Sequence, residues 1–329
     1  MVRSKLRLGV IGLGRHGSRY ARHAALDVDS IELVAVCQRD QSAGQEVADS
    51  YGCRYTGDAR ALATATDIDA LVLVTLPHLL PNLVTLAARS GKRLLIEKPV
   101  APDLASGRAM LADIQAAGVY CMAAQTLRFN SVCLAMKDLV PALGRIDSLV
   151  LSQRFPPQPE LLWLDDPIRS GGGNILHTGV HCFDLIRFLT GLEPESAFCT
   201  AQRQFTSQTE DNFTAILTFG QSKALAMVTC SRSAACYNGL IEISGENGQL
   251  VGDHVLGTLY LLSGNGRKDI TPQAPVFTVL AALERFAADA ANGCKSPIAF
   301  ADGLAAVAVA DACYRSASSR IPQPVARLL

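Results

Sequence analysis

The sequence predicts an α/β fold in two parts. An N-terminal doubly wound parallel sheet is followed by an α+β domain with an open, largely antiparallel sheet. Three observations carry this. The apolar run Leu6–Ile11 passes straight into Gly12-Leu13-Gly14-Arg15-His16-Gly17, a G-x-G-x-x-G stretch that opens a helix-like segment. From there to about residue 124, strand-like and helix-like segments alternate. Between about residues 196 and 262, strand-like segments follow one another with no helix between them. The expected domains are therefore residues 1–124 and 125–329.

Each glycine of the first turn has a reason. Gly12 permits a tight turn, Gly14 lets a pyrophosphate approach the backbone, and Gly17 lets the helix pack close to the strand. The free N–H groups at the helix start, at Arg15 and His16, then face the phosphates. Ile31–Cys37 is apolar and β-branched and reads as the second strand, and residues 42–51 read as a helix closed by Gly52. Residues 70–75 are continuously apolar, as a strand covered on both faces must be. Pro77 breaks that strand, and residues 81–90 form a helix ended by Gly91. Residues 93–96 form a strand stopped at Glu97-Lys98-Pro99. Asp103 is the N-cap of a helix running to about Ala117, with Gly118 as its stop, and residues 119–124 make a further strand. Ligands of such sheets lie beyond the carboxyl ends of the strands, which is where Thr75, Pro77, His78, Glu97 and Lys98 fall.

The pattern then changes. Residues 131–139 read as a helix and 146–154 as a strand, followed by a Pro-rich loop at 155–159. Gly171-Gly172-Gly173 forms a flexible entry to a helix at 174–189, ended by Thr190-Gly191. Strands are expected at 196–204, 212–219, 224–231, 240–244, 249–252 and 258–262, with Glu246-Asn247-Gly248 as a hairpin signal. Helices at 275–292 and 300–318 close the chain. The last, Ala-rich helix is expected to pack back on the first domain.

Composition narrows the function classes. Lys+Arg and Asp+Glu number 30 each, so there is no overall basic field for nucleic acid or an anionic membrane. Ten scattered cysteines with no C-x-x-C pair indicate reduced, buried thiols and a cytoplasmic protein. Arg3, Lys5 and Arg7 precede an apolar run too short for a signal peptide and lacking a small-residue cleavage site. The longest apolar run, residues 70–76, is far short of a membrane span.

Four pieces stand out together: the glycine turn; Glu97-Lys98-Pro99; Arg128-Phe129-Asn130; and Gly171-Gly172-Gly173 leading into Gly179-Val180-His181-Cys182-Phe183-Asp184. Over essentially its whole length the chain resembles the Gfo/Idh/MocA oxidoreductases, which include glucose–fructose oxidoreductase and inositol dehydrogenase. The resemblance implies a Rossmann domain that binds a nicotinamide cofactor, then a domain for substrate binding and oligomerisation. It implies hydride transfer to or from a sugar, polyol or related carbonyl, and a homodimer or homotetramer built through the second sheet. Lys98 matches the family lysine, and an ammonium there stabilises developing alkoxide charge. His181 matches the catalytic histidine, whose imidazole takes the hydroxyl proton. The sequence leaves open whether Lys98–Pro99 is cis, and whether Asp184 orients the His181 ring or bonds elsewhere.

His177 departs from the family, most of whose members carry Asp there. It is expected one helical turn before His181, at the edge of the substrate cleft, as a further catalytic or substrate-binding residue. The His177-x-x-x-His181 spacing also suits a metal, but no Glu follows His177 and no metal is expected. Arg128, Asn130, Trp163 and Arg169 are the other candidates for substrate contact. At the end of the second strand, family members that prefer NAD usually place Asp where this chain has Gln38. Gln38 does not repel a 2′-phosphate and Arg39 can bind one, so NADP is favoured over NAD; the alternative is that Asp40 serves the ribose. Glycoside hydrolysis with retained NAD, and a non-catalytic NAD(P)-binding sensor, remain as other functions.

Overall fold

The computed structural model describes residues 5–220 and 222–328. The chain begins with β1 (Leu6–Ile11), α1 (Arg15–Leu26), β2 (Ile31–Cys37), α2 (Gln41–Tyr51), β3 (Arg54–Thr56), α3 (Ala59–Thr64), β4 (Ala70–Leu73), α4 (Leu80–Arg89), β5 (Arg93–Glu97), α5 (Leu104–Ala117) and β6 (Cys121–Ala124). It continues with α6 (Ser131–Leu139), β7 (Ile146–Arg154), α7 (Pro167–Ser170), a π-helical turn (Ile175–Gly179), α8 (Val180–Thr190) and the strands β8 (Ser196–Gln202), β9 (Asn212–Phe219), β10 (Ser222–Ser231), β11 (Asn238–Gly245), β12 (Gly248–Asp253), β13 (Thr258–Ser263) and β14 (Gly266–Asp269). Last come α9 (Thr278–Asn292), α10 (Phe300–Ser319) and β15 (Gln323–Pro324).

Two compact units result. The first takes in the residues up to Thr126 together with Phe277–Leu304; the second takes in Leu127–Val276 and the residues from Ala305 on. In the first unit six parallel strands lie in the order β3-β2-β1-β4-β5-β6. The side chains of β4 are buried without exception, because helices cover both faces of a parallel sheet. Caps follow the local sequence: the Asp40, Asp58 and Asp103 carboxylates each accept backbone N–H bonds in the first turn of the helix that follows. Gly52 and Gly118 end α2 and α5 in the left-handed region. β3 and α3 carry no long apolar run and were not legible in the sequence. α9, expected with the second domain, belongs to the first unit. It packs on α1, and the segment after it pairs with β6 through Met122 and Ala299.

The second unit is built on a nine-stranded sheet in the order β14-β13-β12-β11-β7-β10-β9-β8-β15. β7 and β10 are parallel and the other pairs antiparallel. Glu246 and Asn247 form the two-residue turn between β11 and β12, as the hairpin signal predicts. One face of the sheet is core, with Leu149, Leu151, Ala215, Leu217, Ala226, Val228, Ile241 and Ile243 buried. On the other face, Phe198, Ile216 and Met227 stand in direct cross-strand register and are 41–46% exposed. Among the described residues no helix is long and apolar enough to cross a membrane.

Candidate active site

In the first unit the glycine turn is fixed by sterics. Gly12 has φ +95°, and a Cβ there would strike the Val74 carbonyl; a Cβ on Gly17 would strike the carbonyl oxygen of Gly12. Gly14 differs, since a Cβ there would meet nothing within 4 Å. The turn is thus closed on the protein side and open on the outer side at Gly14. α1 starts there with no side-chain cap, so its first N–H groups remain available to an anion. These features fit the pyrophosphate of a dinucleotide.

The same helix reaches the end of β5. The Tyr20 hydroxyl donates to Glu97 Oε1 at 3.1 Å, and Glu97 Oε2 accepts the Lys98 backbone N–H at 2.9 Å. Both side chains are buried. Desolvation raises the Glu97 carboxyl, opposed by the Lys98 charge and by these bonds. Glu97, expected as a cofactor contact, therefore ties the Lys98 backbone to the helix of the glycine turn. Lys98 itself is half-buried, and the Lys98–Pro99 peptide is cis. His16 is exposed at the surface of the turn. Partial desolvation, then Lys98, Arg19 and Arg15, hold its imidazole below the usual histidine value. Thr75 and His78 are half-buried and Pro77 buried, just past β4.

At the end of β2, Gln38 Oε1 accepts the Arg39 N–H at 3.1 Å, and Arg39 is exposed. The Asp40 carboxylate accepts the Ala43 N–H at 3.0 Å as the cap of α2.

The second unit holds the histidines. His177 lies in the π-helical turn and His181 in the first turn of α8, so the pair does not follow regular α-helical spacing. His177 is 7% exposed and buried rather than placed at an open edge. Its Nε2 lies 3.0 Å from the Ser170 carbonyl oxygen. A carbonyl only accepts, so Nε2 carries the hydrogen. Trp163 packs edge-on against the ring, with centroids 5.3 Å apart. His181 is half-buried.

The remaining sequence candidates are placed differently. Arg128 bonds Asp184 through Nε at 2.8 Å and Nη2 at 2.6 Å, a two-pronged pair whose side chains are 11% and 2% exposed. The Asp184 carboxylate is thus engaged by Arg128 through both oxygens. The Asn130 side chain accepts the Val132 N–H at 3.0 Å as the cap of α6, and its Nδ2 donates to the His254 carbonyl oxygen. Arg169 is half-buried in α7, whose N-terminus is capped by Asp166.

Three features were missed in the sequence: the Tyr20–Glu97 bond, the pair Glu210–Tyr314 described below, and the loop 204–209. In that loop Asp211 accepts the N–H groups of Gln204, Phe205 and Thr206, while Asp165 accepts those of Ser207, Gln208 and Thr209. Tyr20–Glu97 and Glu210–Tyr314 join residues 77 and 104 apart in sequence, so no local pattern marks them. Among the described residues no cluster of three or more His, Cys, Asp or Glu forms a metal site.

Residues 6–125 match the family model described as "Oxidoreductase family, NAD-binding Rossmann fold", and residues 134–251 match "GFO/IDH/MocA C-terminal domain". The chain belongs to the Gfo/Idh/MocA oxidoreductase family. Inositol 2-dehydrogenase of Rhizobium meliloti (strain 1021) is 27% identical over 328 residues, covering 96% of this chain and 98% of the relative. The 1,5-anhydro-D-fructose reductase of Ensifer adhaerens is 28% identical over 298 residues, covering 85% and 89%. The crystal structure of aldose-aldose oxidoreductase from Caulobacter crescentus complexed with glycerol superposes with a TM-score of 0.89 at 23% identity, over 97% of this chain and 99% of that one. This Gfo/Idh/MocA protein is accordingly an NAD(P)-dependent oxidoreductase. The hydrolase and sensor alternatives find no support in these relatives.

Proposed function

We propose that the enzyme moves a hydride between a nicotinamide cofactor and the C–O carbon of a sugar, cyclitol or related hydroxy or keto compound. The observation that carries this is the bond path Tyr20–Glu97–Lys98, which sets a lysine at a strand's carboxyl end on the scaffold of the phosphate turn. The names of the relatives point to the same substrate class. Gly12, Gly14, Gly17 and the α1 N-terminus would hold the pyrophosphate; the bound nicotinamide supplies the hydride acceptor or donor. Lys98 hydrogen-bonds the reacting oxygen and stabilises negative charge as it develops there. His181 takes the hydroxyl proton in oxidation and returns it in reduction. The test is nicotinamide absorbance with a panel of sugars, polyols and ketoses in both directions. Turnover of at least one supports the reading; cofactor binding without turnover of any contradicts it.

The preferred cofactor is NADP(H). Gln38 is uncharged, Asp40 is occupied as a helix cap, and Arg39 is exposed at the β2 terminus. Replacing Arg39 by Ala should weaken NADP(H) by about tenfold, roughly the 1.4 kcal/mol of one exposed charge-assisted contact, and leave NAD(H) within about twofold. Equal losses for both cofactors, measured by fluorescence titration, would remove the assignment.

The enzyme works in the cytoplasm as a homodimer or homotetramer formed through the large sheet. The exposed row Phe198–Ile216–Met227 is an apolar patch of the kind that a second copy covers. Light scattering should return an oligomer at micromolar concentration, and I216K/M227E should return a monomer. A monomeric wild type would contradict this.

A further inference from the structure

The segment that carries His177 and His181 has an unusual beginning. Helix starts leave N–H groups without partners, and a Ser, Thr, Asp or Asn at the start usually supplies one. Here the Asn174 side chain turns away and donates to the Asp211 carbonyl oxygen at 3.0 Å. The first three N–H groups bond instead to residues distant in sequence. Gly173 N–H donates to the Tyr314 hydroxyl oxygen at 3.0 Å, Asn174 N–H to the Glu210 carbonyl oxygen at 2.8 Å, and Ile175 N–H to Glu210 Oε1 at 2.8 Å. The Tyr314 hydroxyl in turn donates to the same Oε1 at 2.8 Å. A single carboxylate oxygen thus joins α10 to the start of the histidine segment.

The mounting is stiff. The six N–H groups from Gln204 to Thr209 are all held by the Asp165 and Asp211 carboxylates, so Glu210 ends a braced loop. The glycines now have a different purpose from the flexible entry expected of them. A Cβ on Gly172 would collide with the Tyr314 hydroxyl, and a Cβ on Gly173 with the Glu210 carbonyl oxygen. They are small so that the clamp can close on the backbone. His177 N–H donates to the Gly173 carbonyl oxygen at 3.0 Å, so the clamped residue starts the bonded turn that leads on to His181.

We propose that Glu210 and Tyr314 are positioning residues: they fix the origin of the histidine segment and thereby set where His181 presents its imidazole. This rests on the proton-transfer role given to His181 above. Displacing a reacting group by about 1 Å costs up to about 10²-fold in rate.

The test compares Tyr314→Phe, Glu210→Ala and Glu210→Gln in the full-length enzyme. Glutamine keeps an oxygen for both donors; alanine keeps neither. Tyr314→Phe should lower kcat about tenfold and Glu210→Ala about 10²-fold, with cofactor Kd unchanged, while Glu210→Gln stays within about threefold of wild type. In the 15N-labelled enzyme, the His181 ring nitrogen signals, assigned with His181→Gln, should move in the first two variants and not in Glu210→Gln. Variants that lose only thermal stability, or a glutamine variant as impaired as the alanine one, would overturn the proposal. If Glu210→Ala does not fold, Tyr314→Phe decides. If His181→Ala retains full kcat, the His181 assignment fails, and the ring signals still judge the clamp by themselves.

Discussion

Replacing His181 by alanine should lower kcat by about 10²–10⁴-fold, the range lost with a general acid or base, and leave cofactor Kd unchanged. The separation is expected because the glycine turn proposed to hold the phosphates is complete within the first unit, and His181 lies in the second. His177 gives the contrast. Its ring is buried, donates to the Ser170 carbonyl oxygen and packs on Trp163. His177→Ala should therefore cost stability, about 2–4 kcal/mol for a large buried side chain, more than it costs kcat. Steady-state kinetics of both variants, with chemical denaturation alongside, checks this. If His177→Ala loses kcat and His181→Ala does not, the proton carrier is His177.

Arg128→Met should destabilise the fold by about 3–5 kcal/mol, since it removes the two-pronged cationic partner of the Asp184 carboxylate, which is 2% exposed. The double variant Arg128→Met/Asp184→Leu should recover most of that, because removing both charges abolishes the desolvation cost together with the attraction. The guanidinium also lies over the Phe188 ring, 5.4 Å from its centroid, and methionine keeps part of that packing. Urea denaturation of the two single variants and the double variant measures the coupling. A loss below about 1 kcal/mol in Arg128→Met would mean that the pair behaves as an exposed one.

What was legible in the sequence was local. Gly12 is dictated by its left-handed φ and Gly17 by the Gly12 carbonyl in the same turn, Asp103 by the three residues after it, and β2 or β9 by a run of β-branched and apolar side chains. Short elements with little apolar content escaped. β3 is three residues long, and β14 is four exposed residues, Gly266–Asp269, with no alternation to betray it. Residues whose meaning depends on a distant partner escaped too. Arg128 and Asn130 read as ligand contacts, and nothing local records that Arg128 bonds Asp184 or that Asn130 caps α6. α9 reads as a continuation of the second domain because nothing in its own sequence records that it packs on α1. The triple glycine was misread for the same reason: Tyr314 lies more than a hundred residues away, and only its hydroxyl against Gly172 explains the missing side chain.

The most direct test of the account follows the hydride itself. The enzyme is given nicotinamide cofactor deuterated at C4 together with a ketose or keto-polyol that it reduces, and the product is examined by mass spectrometry and NMR. Deuterium at the carbinol carbon of the product, transferred from one face of the cofactor and appearing more slowly in step with kcat in His181→Ala, is the predicted result. Product formation with no deuterium at that carbon would contradict direct hydride transfer and the roles given to Lys98 and His181.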